Sequence, residues 1–82
     1  MSNYELELDL SNFLIEHLSL PINTKLYRDS KLSDCGLDSL DMVDMIFLVE
    51  DRYDVVLENT HNIYTFGNLL DIIDSKLNIH QL

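Results

Sequence analysis

Apolar residues along this chain fall into three segments with the spacing of amphipathic helices. In the first, residues 3–18, Tyr4, Leu6, Leu8 and Leu10 alternate with polar residues as a strand would. The continuation decides for a helix. Leu6, Leu10, Phe13, Leu14 and Leu18 recur at three and four residues and cover one side, whereas the alternation fails after Ser11. Leu8 and Ile15 fall on another face. Pro21 is expected to stop this helix, since proline lacks an amide donor and disfavours helix in the residue before it. The second segment, Leu37 to Tyr53, contains no Gly or Pro and reads as one helix. At ~100° per residue, Met42, Met45, Ile46, Val49 and Tyr53 share a side and form a core stripe. In the third segment Thr65 is a plausible N-cap. Phe66, Leu69, Leu70, Ile73 and Leu77 then line one stripe of a helix over about 66–78, with Asn68, Asp71, Asp74 and Ser75 elsewhere.

The stretch from Ser19 to Leu37 is long for a connection. Its Leu26, Tyr27, Leu32 and Leu37 are expected to tuck against the core. Between Asp54 and Tyr64, the apolar Val55, Val56, Leu57 and Ile63 bracket the polar run Glu58-Asn59-Thr60-His61-Asn62.

The second segment has a further apolar face. Opposite its core stripe lie Leu40, Val43 and Phe47, set among Asp44, Glu50 and Asp51. A small domain gains nothing by exposing Leu and Phe between acids unless something docks there. Ser39 stands at the N-terminal end of the same helix, where free N–H groups and the helix dipole favour an anion. A serine that carries a phosphodiester would suit that position.

Asp38-Ser39-Leu40, the following Asp41-Met42-Val43-Asp44, and Glu50-Asp51-Arg52-Tyr53-Asp54 closely resemble the modification-site helix of acyl carrier proteins. The triplet follows Gly36-Leu37, opens a helix, and has an aromatic residue fourteen positions after its serine, at Tyr53. The resemblance implies that Ser39, flanked by Asp38 and Leu40, is esterified with 4′-phosphopantetheine taken from coenzyme A. A phosphopantetheinyl transferase would attach the arm with Mg²⁺, the Ser39 hydroxyl attacking the pyrophosphate. The arm's thiol then carries acyl groups as thioesters. The protein would do no chemistry itself and would have no catalytic residues. Acyl-transferring and acyl-modifying enzymes with basic docking patches would read Asp41, Val43, Asp44, Phe47, Glu50 and Asp51. The implied fold is all-α: a single domain over residues 1–82, built as a small antiparallel four-helix bundle, three long helices plus one short, with a long loop between the first two. The short third helix has less room here than in the family, by about two residues, and lacks the usual acidic cluster.

Charge narrows the partners. The chain has 82 residues and a formal net charge of −10. That argues against nucleic acid and anionic membranes and for basic partners. From Asp34 to Glu58 there are eight acids and one base, Arg52, so most of the excess sits around the serine helix. The single cysteine allows no internal disulfide, and His17, His61 and His80 are too scattered to form a metal cluster with it. The N-terminus is acidic where a secretory signal would be basic, and the longest wholly apolar run is Met45–Val49. A cytoplasmic monomer without a membrane span is the expectation.

Other residues admit plainer readings. Cys35 reads as a small packed hydrophobe, with nothing nearby to activate its thiol. Ser39 does not sit in a Gly-x-Ser-x-Gly elbow, so a hydrolase nucleophile is disfavoured. Asp29, Asp34, Asp38 and Asp41 lack Ca²⁺-loop spacing. Fatty-acid synthesis and a specialised, polyketide-type pathway both suit a free-standing carrier. Gly36-Leu37-Asp38-Ser39-Leu40 looks more like an acyl than a peptidyl carrier, which often has paired glycines before its serine. A D-alanyl or other aminoacyl carrier stays open, as does an unmodified acidic helical adaptor that uses Leu40, Val43 and Phe47 only to bind a partner.

Overall fold

The computed structural model describes residues 3–18, 20–21, 23–58 and 60–79. Ser19, the expected start of the long connection, and Asn59 and His80 lie outside them. The architecture is all-helical: α1 (Asn3–His17), α2 (Ser39–Tyr53) and α3 (Phe66–Ile79), with single 3₁₀ turns at Leu32–Cys35 and Thr60–Asn62. Among the described residues there is no strand, only a lone antiparallel bridge between Lys31 and Thr65.

The helical stripes point inward as their spacing requires. Leu6, Leu10, Phe13 and Leu14 of α1, Met45 and Val49 of α2, and Phe66, Leu69, Leu70 and Ile73 of α3 are all buried. Leu18, Met42, Ile46, Tyr53 and Leu77 pack around them, half-buried. Leu8 lies on the solvent side of α1. The first helix ends at His17, before Pro21 acts: Leu18 N–H donates to Leu14 O at 3.0 Å and Leu20 N–H to Ile15 O at 3.2 Å. The backbone thus closes the helix on itself, and Pro21 only prevents its resumption. The second helix starts at Ser39 rather than Leu37, because Asp38 is extended and caps it, while Leu37 turns into the core.

The connections supply much of the core. Six of the sixteen buried apolar side chains among the described residues, Leu26, Leu32, Leu37, Val55, Leu57 and Ile63, lie outside the three α-helices. The long connection therefore behaves as a structural layer. Backbone pairing holds it: Leu32 N–H donates to Tyr64 O at 2.9 Å, Phe66 N–H to Ser30 O at 3.0 Å, and Gly67 N–H to Arg28 O at 2.9 Å. A Cβ on residue 67 would lie 2.6 Å from Arg28 O, so this approach requires glycine. Tyr27 is not part of the core, contrary to its apolar character. It heads a tight turn, its N–H donating to Ser30 Oγ and its carbonyl accepting from Ser30 N–H, and 58% of its surface is exposed. Between α2 and α3, Val55 and Leu57 point inward and Val56 outward. The shortened third helix is the single turn Thr60–Asn62, closed by Ile63 N–H to Thr60 O at 3.1 Å.

A polar stitch joins α1 to α2. Arg52 donates from Nε and Nη2 to the two oxygens of Asp9 at 3.0 and 2.7 Å, and Tyr53 Oη donates to Asp9 Oδ2 at 2.5 Å. The guanidinium also lies over the Phe13 ring, 4.6 Å from its centroid, and Phe13 in turn meets His17 at 4.3 Å. The Arg52 and Tyr53 hydrogen bonds hold the Asp9 carboxyl below its ordinary value of 3.8. Burial, then the bond to Asp9, pushes the Tyr53 phenol up.

Two outcomes are expected. Val49→Ala removes two fully buried methyl groups and should cost about 1–3 kcal/mol in urea melts. Asp9→Asn should lower the urea midpoint at neutral pH. A depressed folded-state pKa contributes stability above the unfolded value of 3.8 that is lost as pH falls through the folded value. The gap between wild type and Asp9→Asn should therefore close below that value, and a gap that stays constant would contradict the stitch.

Candidate functional site

The starts of α2 and α3 each carry a pair of capping side chains three residues apart, and they end up different. At α3, Phe66 and Gly67 donate to the carbonyls of Ser30 and Arg28, and Asn68 N–H donates to Thr65 Oγ1 at 3.1 Å. Asn68 Oδ1 reaches back to accept from Thr65 N–H and Tyr64 N–H, both at 3.0 Å. Every orphan donor of the first turn has a partner. At α2, Asp38 and Asp41 form a reciprocal capping box: Asp41 N–H donates to Asp38 Oδ1 at 2.9 Å and Asp38 N–H to Asp41 Oδ2 at 3.2 Å. Met42 N–H begins the ladder on Asp38 O. Among the described residues nothing accepts from the N–H of Ser39 or Leu40, and the Ser39 hydroxyl makes no hydrogen bond. Ser39 is exposed. The result is an open helix start that presents a hydroxyl and two unengaged amides, with the helix dipole aligned toward them.

Gly36 positions this start. Its φ of 87° lies in the left-handed region and ends the Leu32–Cys35 turn, letting the chain reverse into Leu37 and Asp38. Cys35 is half-buried, its thiol donates weakly to Lys31 O at 3.6 Å, and burial followed by the neighbouring Asp34 charge pushes its pKa up. It is a packed thiol and not a nucleophile.

Beyond the first turn the outer face of α2 is laid open. Leu40, Val43 and Phe47 are 76%, 51% and 65% exposed, with Asp44 and Asp51 exposed beside them. Two other residues expected on this face are engaged within the fold: Asp41 in the capping box, and Glu50, whose Oε2 accepts from Leu57 N–H at 2.8 Å below the helix end. There Asp54 caps α2 with φ 54°, in the left-handed region. Alongside the face runs an open groove of about 480 Å³ lined by His17 and Leu18 of the α1 end and by Asp41, Asp44, Phe47 and Leu48. His17 Nδ1 donates to Phe13 O at 3.1 Å. No feature of the sequence pointed to His17 or Leu18 here, since only tertiary packing brings the α1 end beside α2. A second groove, about 360 Å³, lies on the other side of α2 between Leu32, Met42 and Ile63.

A family model described as the phosphopantetheine attachment site matches residues 18–75. The chain belongs to that family of carrier proteins. Its relatives are acyl carrier proteins. The carrier is 31% identical over 67 residues to the chloroplastic acyl carrier protein 4 of Arabidopsis thaliana, covering 79% of this chain and 49% of that one. It is 25% identical over 79 residues to an acyl carrier protein of an Exiguobacterium species, covering 94% and 100%. The chain thus spans about half of the plant relative and the whole of the bacterial one. The crystal structure of an acyl carrier protein from Thermotoga maritima matches its fold with a TM-score of 0.82 at 22% identity, over 98% of this chain and 95% of that chain. The carrier's cofactor is covalently attached 4′-phosphopantetheine. The open start of α2 fits such a group: an exposed hydroxyl for the ester, two free amides for phosphate oxygens, and neighbouring carboxylates that already accept backbone N–H groups.

Breaking the cap and removing the hydroxyl should separate. Asp38→Ala should cost about 1 kcal/mol, the usual size of an N-cap, and speed exchange of the Asp41 amide. Ser39→Ala should leave the urea midpoint nearly unchanged, because no protein hydrogen bond is lost.

Proposed function

We propose that this protein carries acyl groups as thioesters on a 4′-phosphopantetheine arm esterified to Ser39, and acts as a single carrier domain in fatty-acid or specialised biosynthesis. The observation that carries the reading is the unengaged Ser39 hydroxyl at the start of α2, left open where the start of α3 is closed. At that position a phosphodiester meets two free N–H groups and the positive end of the dipole. Membership of the attachment family and the acyl carrier relatives support an acyl cargo over an aminoacyl one.

On this reading the carrier is a substrate and shuttle, while its partners, a phosphopantetheinyl transferase and acyl-processing enzymes, supply the catalysis. They would dock on Leu40, Val43 and Phe47, guided by Asp44 and Asp51. The engagement of Asp41 and Glu50 within the fold concentrates the steering on those two free acids. Exposed charges act over about 8 Å at physiological ionic strength, so they govern encounter, while the apolar side chains govern residence.

Incubation with coenzyme A and a promiscuous transferase should add the mass of the arm to wild type and nothing to Ser39→Ala. Mass gain in the alanine variant would sink the assignment. Replacing Asp44 and Asp51 by Lys should cut transferase kcat/KM and flatten its salt dependence. Phe47→Ala should leave the urea midpoint nearly unmoved and weaken partner binding by roughly 1–2 kcal/mol, as an aromatic anchor would. If Phe47→Ala instead destabilised the fold with partner affinity intact, the docking face would lie elsewhere.

A further inference from the structure

The first helix has an outward face that the core does not use. At about 100° per residue, Tyr4, Leu8, Ser11 and Ile15 fall within one narrow strip, nearly opposite the buried Leu6, Leu10 and Phe13. They follow one another at four, three and four residues. That is the seam spacing of a coiled coil over two heptads, with Leu8 and Ile15 at a and Tyr4 and Ser11 at d. Tyr4 is 73% exposed and Leu8 52%, as open as Val43 on the outer face of α2, while Ser11 and Ile15 are half-buried. The bundle itself does not need this spacing, because α1 meets the core through its other side.

Charge limits what can lie on the seam. Glu5, at an e position, stands on one flank with Glu16 further along, and Glu7, at a g position, stands on the other. Arg28 lies within the field of Glu7 but is already paired with Asp71, and Arg52 is paired with Asp9. Two copies of this seam would set acid against acid on chains of net charge −10, so a second copy does not suit it. The same acids disfavour an anionic bilayer. A helix with basic flanks meets neither obstacle.

We propose that the outer face of α1 is a second docking surface, separate from the outer face of α2. It takes one amphipathic helix of a partner protein, apolar at a and d and carrying lysine or arginine at e and g. The partner's apolar side chains pack on Tyr4, Leu8 and Ile15, with a large one seated over the small Ser11. Its basic side chains meet Glu5 and Glu7 along the two edges. Two heptads form a short seam, so the charged edges decide which helix binds. The proposal does not depend on the attachment at Ser39.

The full-length protein, labelled for amide spectroscopy, tests this with a synthetic three-heptad helix. The probe has leucine at a and d and lysine at e and g. Controls are a scrambled peptide of the same composition and a twin with glutamate at e and g. The lysine helix should shift the amides of Tyr4, Leu8, Ser11 and Ile15, and neither control should. Leu8→Ala should weaken binding about tenfold, as loss of an interface anchor does, with the urea midpoint nearly unchanged. Phe47→Ala on α2 should leave these α1 shifts as they are. Reversing one acid on each flank, Glu7→Lys with Glu16→Lys, should weaken the lysine helix and admit the glutamate twin. Shifts confined to α2, equal binding of the scrambled peptide, or binding indifferent to Leu8→Ala would overturn the surface. Shifts of the α1 amides with concentration of the protein alone would assign the face to a second copy and overturn the basic partner.

Discussion

The backbone of residues 28–32, laid against the start of α3, is the constraint on which the rest depends. Helices leave their first amides unsatisfied, and a buried one left so is costly. Here the long connection supplies the acceptors, Ser30 O for Phe66 and Arg28 O for Gly67. The approach is close enough that only a residue without a side chain fits at position 67. Once the connection is pinned, Leu26 and Leu32 enter the core. The 3₁₀ turn that follows ends on left-handed Gly36, Leu37 turns inward, and Asp38 is placed to begin α2.

That arrangement makes the two helix starts unequal. One is closed by the chain itself and serves stability. The other is capped by carboxylates on either side of Ser39 yet keeps two amides and a hydroxyl open. Asp38 and Asp41 hold their negative charge against N–H donors, which tempers the repulsion an attached phosphate would meet. An attachment point needs this combination: a rigid root and no internal competitor for the nucleophilic oxygen.

Charge is distributed by the same logic. Arg52, the one base in the acidic segment, is drawn to Asp9 on α1 and lies over Phe13. It ties two helices together without covering the outer face of α2. Glu50 turns under the helix end to meet Leu57 N–H. What stays free on that face is Asp44 and Asp51 around Leu40, Val43 and Phe47, an apolar patch with an acidic rim. Such a surface favours partners with a basic rim around an apolar socket. Lys31 lines the second groove, beside Leu32, Met42 and Ile63.

By itself the sequence determined the three long helices, their buried stripes, the two faces of α2, and Ser39 at its head. Each of these rests on neighbours within about four residues, where helical spacing and capping act. Thr65 as the N-cap of α3 was legible for the same reason, and the structure adds its partner Asn68 and the Asp38–Asp41 box. Tertiary structure decided the remainder. Tyr27 is as apolar as many core residues, yet a local turn puts it outside, and nothing in its neighbours announces that. Asp9 meets Arg52, and Arg28 meets Asp71, across 43 residues of chain. The role of Gly67 depends on which carbonyl comes near it, and the grooves take their walls from two or three distant segments. Such pairings arise only when separated elements pack, so no local pattern encodes them.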